Sequence, residues 1–142
     1  MRYIHAILAS LALALFWMPA AKAGEPIKTV YHFNDGRSQA QRALVNIQNH
    51  LDADPTAVIA VVAHGAGIDF LLEGAEAADG SPFTPQMEAL SKHGVRFFVC
   101  NKTLTQRHIS KDKVWPKAEV VDSGVAEIAR LTGRGGYTYI RP

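Results

Sequence analysis

The sequence contains a single cysteine, which excludes a fold held together by internal disulfide bonds. It also lacks charge blocks and low-complexity tracts of the kind that form nucleic-acid-binding tails. Its 142 residues are 48% hydrophobic, which is too apolar for a disordered chain. These features predict one globular domain.

The longest apolar run lies at the N-terminus and is too short for a typical membrane-spanning helix. Arg2 precedes this run, Ile4–Met18, and an Ala-Lys-Ala tripeptide at 21–23 matches the pattern before a signal cleavage point. We expect residues 1–23 to be a secretory signal peptide rather than a membrane anchor, because a spanning helix needs about 20 apolar residues. A short, Ala-rich signal of this type is typical of bacteria and predicts a periplasmic or secreted protein, of which we expect the periplasmic location.

Cleavage would change the charge balance of the chain. Without Arg2 and Lys22, 13 basic residues face 13 acidic residues in the predicted domain, 24–142. A neutral domain gives no electrostatic support for a nucleic-acid or anionic-membrane partner. We therefore expect no nucleic acid and, after cleavage, no membrane among its partners.

Strand-like and helix-like segments alternate along this domain. The strand-like segments are apolar or β-branched, and the one centred on VIAVVA is typical of a strand that is covered on both faces. The alternation predicts an α/β sandwich with a mostly parallel sheet. The expected strands are Lys28–Phe33, Ala57–Ala63, Val95–Cys100, Glu119–Val121 and Tyr137–Ile140.

The helices between these strands have start signals. Ser38 with Gln41 three residues later predicts a capping box at the start of the first helix. Ser123 is the expected cap of the last helix. The predicted buried stripe of that last helix consists of Val125, Ile128, Ala129 and Leu131.

Polar or reactive side chains follow four of the predicted strands. Ligands bind just beyond the carboxyl ends of the strands in an open parallel sheet, so folding should bring these loops to one edge. The candidate catalytic or ligand-binding residues there are Asn34, Asp35, His64, Gly65, Cys100, Asn101, Lys102 and Ser123.

Cys100 ends an apolar strand and precedes a predicted helix. A helix N-terminus favours the thiolate over the thiol, and Lys102 and Arg107 would add to that field. A lone thiol in an oxidising compartment is buried and inert, paired between chains, or used chemically. The residues alone leave these alternatives open.

His64 precedes a Gly-x-Gly turn. It is either an acid or base beside the thiolate or a strand-end histidine bonded to backbone. The histidines at 32, 50, 64, 93 and 108 show no paired spacing, and one cysteine cannot build a structural zinc site, so we expect no metal and no cofactor. We expect Trp115 and the C-terminal tyrosines to be packing or interface residues.

Three segments together resemble the exported branch of the DsrE/DsrF-like family: VRFFVCNKTL, VVAHGAGIDFLL and the ending VVDSGVAEIARLTGRGGYTYIRP. The resemblance covers roughly 30–142. It implies a three-layer α/β/α sandwich with a five-stranded sheet and a homo-oligomer, often a trimer or hexamer. It also implies that a cysteine at the position of Cys100 carries sulfane sulfur as a persulfide.

The leading hypothesis is therefore a periplasmic sulfur carrier or sulfurtransferase-like protein. Cys100 would receive sulfur from a donor protein or small molecule and pass it to a partner thiol. His64 would shuttle a proton and, with Asn34, line the pocket. The alternatives are a non-catalytic oligomeric binding or scaffold protein with a structural cysteine, and a Cys-His hydrolase, which would need a third group to orient His64. Whether the protein turns over a substrate stays open at this point.

Overall fold

A computed structural model describes residues 24–142. The predicted signal peptide, 1–23, lies outside the described residues. No helix in the described part of the chain is both long enough and apolar enough to cross a membrane.

The described residues form five strands, four α-helices and two 3₁₀ helices. The strands are β1 (Lys28–Phe33), β2 (Val58–Ala63), β3 (Arg96–Cys100), β4 (Glu119–Val121) and β5 (Tyr137–Ile140). The α-helices are α1 (Gly36–Ala53), α2 (Thr84–Lys92), α3 (Asn101–Gln106) and α4 (Gly124–Gly133), and the 3₁₀ helices span Gly65–Leu71 and Lys111–Lys113. Each expected strand is present, with bounds that agree to within one residue.

The five strands form one sheet in the order β4-β3-β2-β1-β5, and every neighbouring pair is parallel. This confirms the predicted α/β architecture with a five-stranded sheet, and the sheet is wholly rather than mostly parallel. Because all strands run in one direction, their carboxyl ends lie along one edge. Loops that follow β1 to β4 therefore share that edge.

One face of the sheet carries most of the core. It is covered by α1, α2, α3 and the 3₁₀ helix Gly65–Leu71, whose apolar side chains pack on Phe33, Val61 and Phe97. Apolar residues of α1 at 40, 43, 44, 47 and 51 recur at helical spacing and are all buried. Each large buried side chain of this kind stabilises the fold by about 1.5–3 kcal/mol.

The other face has a smaller core, to which α4 contributes Leu131, with Ile128 partly buried against it. The predicted buried stripe of α4 is wrong for the remaining two residues, since Val125 is 62% exposed and Ala129 is also exposed. Ile128 and Leu131 face the sheet, whereas Val125 and Ala129, which are four residues apart, lie together on the exposed side of α4. The sheet residues of this second core are Val30, Ala60, Val62 and Phe98.

The start of α1 differs from the predicted capping box. The helix begins at Gly36, and the N-cap Asp35 makes no side-chain cap. Instead, Oε1 of the buried Gln39 accepts hydrogen bonds from the backbone N–H groups of Asn34 (2.9 Å) and Asp35 (2.8 Å). At α4 the predicted cap is confirmed, because Ser123 Oγ accepts from the Ala126 N–H at 3.4 Å.

Candidate functional site

The loops after β2, β3 and β4 meet at the carboxyl edge of the sheet. The Gly65 N–H donates to Thr103 Oγ1 at 2.9 Å, which joins the loop after β2 to α3. The Lys102 N–H donates to the Asp122 carbonyl at 3.3 Å, which joins α3 to the loop after β4. The structure thus brings together the predicted residues of these three loops.

Gly124, the first residue of α4, lies against two of the candidate side chains, His64 and Cys100. A Cβ at this position would be 3.1 Å from His64 Cβ and 3.2 Å from Cys100 Cβ. His64 and Cys100 therefore flank the same point at the N-terminus of α4. Sequence reasoning placed both residues at this edge but did not identify Gly124, whose lack of a side chain permits the close approach.

Cys100 is the last residue of β3 and directly precedes α3. Its side chain is almost enclosed, with the residue only 4% exposed. Two helix N-termini face it, because α3 begins at the next residue and α4 begins at Gly124. Helix N-termini carry free N–H groups and partial positive charge, which favour an anion.

Burial acts to raise the pKa of the Cys100 thiol, but polar groups outweigh it and the pKa lies below the ordinary value. Those groups are the N–H of Gly124, which has the largest lowering effect, the N–H groups of Thr103 and Lys102, and the Thr103 hydroxyl. These groups together stabilise the charged form of the thiol.

His64 is half-buried and has a histidine partner that sequence reasoning missed. His32 Nε2 and His64 Nε2 are 2.6 Å apart, and the two rings stack with centroids separated by 4.7 Å. His32 Nδ1 is in turn 2.6 Å from the hydroxyl oxygen of Tyr139 on β5. These three side chains form one hydrogen-bonded chain on the α4 side of the sheet.

Burial lowers the pKa of His64 and is also the largest cause of the lowered pKa of His32. For His32, charge on His64 and Arg141 lowers the pKa further, while Asp35 opposes the shift. The environment of both imidazoles therefore favours their neutral form. Neutral imidazoles can accept a proton from a neighbouring acid.

The other predicted residues have mixed placements. Asn34 lies at the end of β1, two strands from Cys100, and is therefore roughly 10 Å away from it. The buried Oδ1 atom of Asn34 has no hydrogen-bond partner among the described residues. The exposed Asp35 pairs with Arg141 at 3.2 Å. Asn101 is half-buried at the start of α3, and Lys102 is exposed.

Gly65 and Ser123 contribute backbone geometry rather than free side chains. Gly65 has a φ of 57°, a left-handed conformation that suits glycine, and its carbonyl accepts from Arg107 at 3.3 Å. The hydroxyl oxygen of Ser123 accepts the capping bond from the Ala126 N–H. Within residues 24–142, no three His, Cys, Asp or Glu side chains are grouped as metal ligands.

The fold and the site define a parallel α/β domain with one buried, strand-end cysteine beside a histidine pair. The chain belongs to the DsrE/DsrF-like family, because that family's sequence profile matches residues 19–142. The family is associated with sulfur relay. No curated protein matches the chain.

Two solved structures are similar to this chain. A protein of unknown function from Methanobacterium thermoautotrophicum, MTH1491, is 28% identical, with a TM-score of 0.72 over 82% of this chain and 99% of that chain. The ychN protein from E. coli is 15% identical, with a TM-score of 0.69 and the same coverages. The second likeness shows the fold alone.

Proposed function

We propose that the protein is an exported, periplasmic sulfur carrier in which Cys100 holds sulfane sulfur as a persulfide. The observation that carries the proposal is the environment of the thiol, which lies at two helix N-termini and beside His64. The lowered pKa of the thiol supports it, because the thiolate is the nucleophile in sulfur exchange. Membership of the DsrE/DsrF-like family supports the same chemistry.

The transfer step is an exchange without net oxidation. The Cys100 thiolate attacks the outer sulfur of a donor persulfide, so a new S–S bond forms at Sγ and the donor S–S bond breaks. The leaving thiolate of the donor takes a proton, which His64 can supply. A partner thiol then attacks the outer sulfur of the Cys100 persulfide and regenerates the free thiol. We infer that the carrier works as a homo-oligomer with a donor or acceptor protein as its partner.

The experiment that tests the proposal is polysulfide treatment followed by mass spectrometry of the intact protein. We expect the wild type to gain one sulfur atom at Cys100 and to release it to added thiol. Cys100→Ser is the matched control, because it removes the only cysteine and keeps the size of the side chain. A wild-type protein that gains no sulfur would refute the proposal.

The burial of Cys100 favours one alternative, a structural cysteine in a non-catalytic oligomeric binding or scaffold protein. On that alternative Sγ only fills space and accepts weakly from the N–H groups around it. Cys100→Ala would then lower stability without affecting any sulfur transfer. Measuring unfolding and sulfur loading on the same variants separates the two functions.

A further inference from the structure

The histidine pair gives His64 an orienting group of the kind that a nucleophile–base pair needs. We propose that His32 and Tyr139 position His64 and select which of its ring nitrogens carries hydrogen, so that His64 exchanges a proton with Cys100. The inference rests on the proposed function of Cys100 and deepens it. His32 and Tyr139 are positioning residues, because they act through His64.

The hydrogen-bonded chain of His64, His32 and Tyr139 has two possible arrangements of its hydrogens. Two ring nitrogens 2.6 Å apart share one hydrogen. If His64 Nε2 carries it, His32 accepts and donates its Nδ1–H to Tyr139, and Nδ1 of neutral His64 is a bare proton acceptor. If His32 Nε2 carries it, His32 Nδ1 accepts from the Tyr139 hydroxyl, and His64 Nδ1 carries a hydrogen to donate.

Moving one hydrogen per bond therefore switches His64 between acceptor and donor. When the Cys100 proton reaches His64 Nδ1, the Nε2 hydrogen of His64 passes to His32. The Nδ1 hydrogen of His32 passes to Tyr139, and the phenol hydrogen passes to water. No charge stays on the rings, and the thiolate remains at Cys100.

The two ends of the chain suit this role. Tyr139 is 47% exposed, so its hydroxyl reaches solvent. His64 flanks Gly124 together with Cys100, and its Nδ1 makes no hydrogen bond among the described residues. The hydrogen-bonded chain thus leads from the neighbourhood of an enclosed thiol, through two half-buried rings, to an exposed tyrosine.

Charged groups around the rings largely neutralise one another. Asp35, at the start of α1, pairs with Arg141, which follows β5. On α4, which packs against this face, Glu127 pairs with Arg130. The hydrogen-bonded chain, rather than a single charge, therefore sets the state of His64.

The sharpest test is Tyr139→Phe, which removes one exposed hydroxyl and does not touch His64. A phenol donates more strongly than it accepts, so Tyr139 favours the form in which His64 carries hydrogen on Nδ1. We expect ¹⁵N NMR of the variant to show a shift of His64 toward the Nε2–H tautomer. The Nε2–H tautomer has no Nδ1–H to donate to the Cys100 thiolate, so we also expect alkylation of Cys100 by iodoacetamide to slow about fivefold near pH 7, the effect of losing one ordinary hydrogen bond. At high pH the alkylation rate should be unchanged.

Tyr31→Phe is a matched control elsewhere in the protein. Tyr31 Oη also bonds a histidine, His50 Nδ1 at 2.9 Å, but this pair lies on the opposite face of the sheet. We expect neither the tautomer of His64 nor the pH profile of Cys100 to change in this variant. His32→Phe keeps an aromatic ring in the stack and should match Tyr139→Phe in both readouts.

Two outcomes would overturn the inference. One is a Tyr139→Phe protein with the wild-type tautomer ratio and pH profile. The other is an equal change in Tyr31→Phe, which would indicate a general structural effect. If wild-type Cys100 gains no sulfur from polysulfide, the proposed function fails, while the His64 tautomer ratio still decides whether His32 and Tyr139 position His64.

Discussion

Replacement of Gly124 by alanine tests the packing of the site directly. The new Cβ would lie 3.1 Å from His64 Cβ, 3.2 Å from Cys100 Cβ and 3.4 Å from the Ala63 carbonyl oxygen. The first two distances are tighter than ordinary carbon–carbon contacts, so both neighbours must move by a few tenths of an ångström. Gly36 is the matched control, because it is also the first residue of a helix and its Cβ would meet nothing within 4 Å.

Two effects with opposite signs decide the stability of the variants. Alanine restricts the unfolded chain more than glycine, which stabilises a helical position by about 0.5–1 kcal/mol. Overpacking of a tight site costs about 1–3 kcal/mol. Neither Gly36 nor Gly124 has a left-handed φ, so alanine is sterically allowed at both. We expect Gly36→Ala to be slightly stabilising and Gly124→Ala to be destabilising, with a difference of about 2 kcal/mol.

Thermal and urea unfolding of the two variants measures this difference, which corresponds to about 8 °C in Tm for a domain of this size. The same proteins report on the thiol. The Gly124 N–H is the strongest group that lowers the pKa of Cys100, so its displacement should slow alkylation at neutral pH. Equal stability and equal alkylation rates for Gly36→Ala and Gly124→Ala would refute the reasoning.

Histidine burial, the Gln39 bonds at the start of α1 and the packing of Gly67 can each be tested by substitution. Burial lowers the pKa values of His32 and His64, so below about pH 6.5 the unfolded state binds more protons than the folded state. The free energy of unfolding, measured with urea, should therefore decrease as the pH is lowered through this range. The decrease should be smaller in His32→Phe. Gln39→Leu leaves two backbone N–H groups without their acceptor and should cost about 2 kcal/mol in urea unfolding, whereas Gln41→Leu on the exposed side of α1 should cost less than about 0.5 kcal/mol. Gly67→Ala would drive the new Cβ into the carbonyl group of Phe33 on β1 and should lower stability by about 3 kcal/mol or more, or yield no soluble protein.

The placement of Cys100 and His64 could be predicted because it depends on local patterns. Each residue ends an apolar run, and runs of that kind are read from neighbours in sequence. The parallel arrangement then puts all strand ends at one edge without any knowledge of strand order. These two steps were sufficient to bring both residues to the same end of the fold.

His32 and Tyr139 could not be recognised in the same way. Their meeting requires β1 to lie between β2 and β5, and strand order is a non-local property. In the observed register His32 pairs with Val62, which puts its side chain on the same face as His64. The alternation of side chains along β1 does predict that His32 lies on the same face of the sheet as Val30. It does not predict that His64 and Tyr139 are its partners on that face.

The ends of helices were the least predictable features. A capping box was read from Ser38 and Gln41, yet Gln39, one turn inside α1, supplies the acceptor for the N–H groups at its start. The choice depends on which side chain the fold buries, and spacing does not show this. The same reason explains Val125, because periodicity identifies an apolar residue but not which side of the helix meets the sheet.

The environment of Cys100 distinguishes a sulfur carrier from a protein in which this cysteine is only structural. A cysteine that only fills a core gains little from N–H donors, because a neutral thiol is a weak acceptor. If the sulfur merely accepts from N–H groups at the starts of α3 and α4, serine accepts better, and Cys100→Ser should be at least as stable as Cys100→Ala. If the donors exist to hold a thiolate or persulfide anion, alkylation of wild-type Cys100 should show a pKa below the ordinary thiol value despite 4% exposure. That second result is what sulfur transfer at an enclosed site requires, since the donor must reach a sulfur that is already charged.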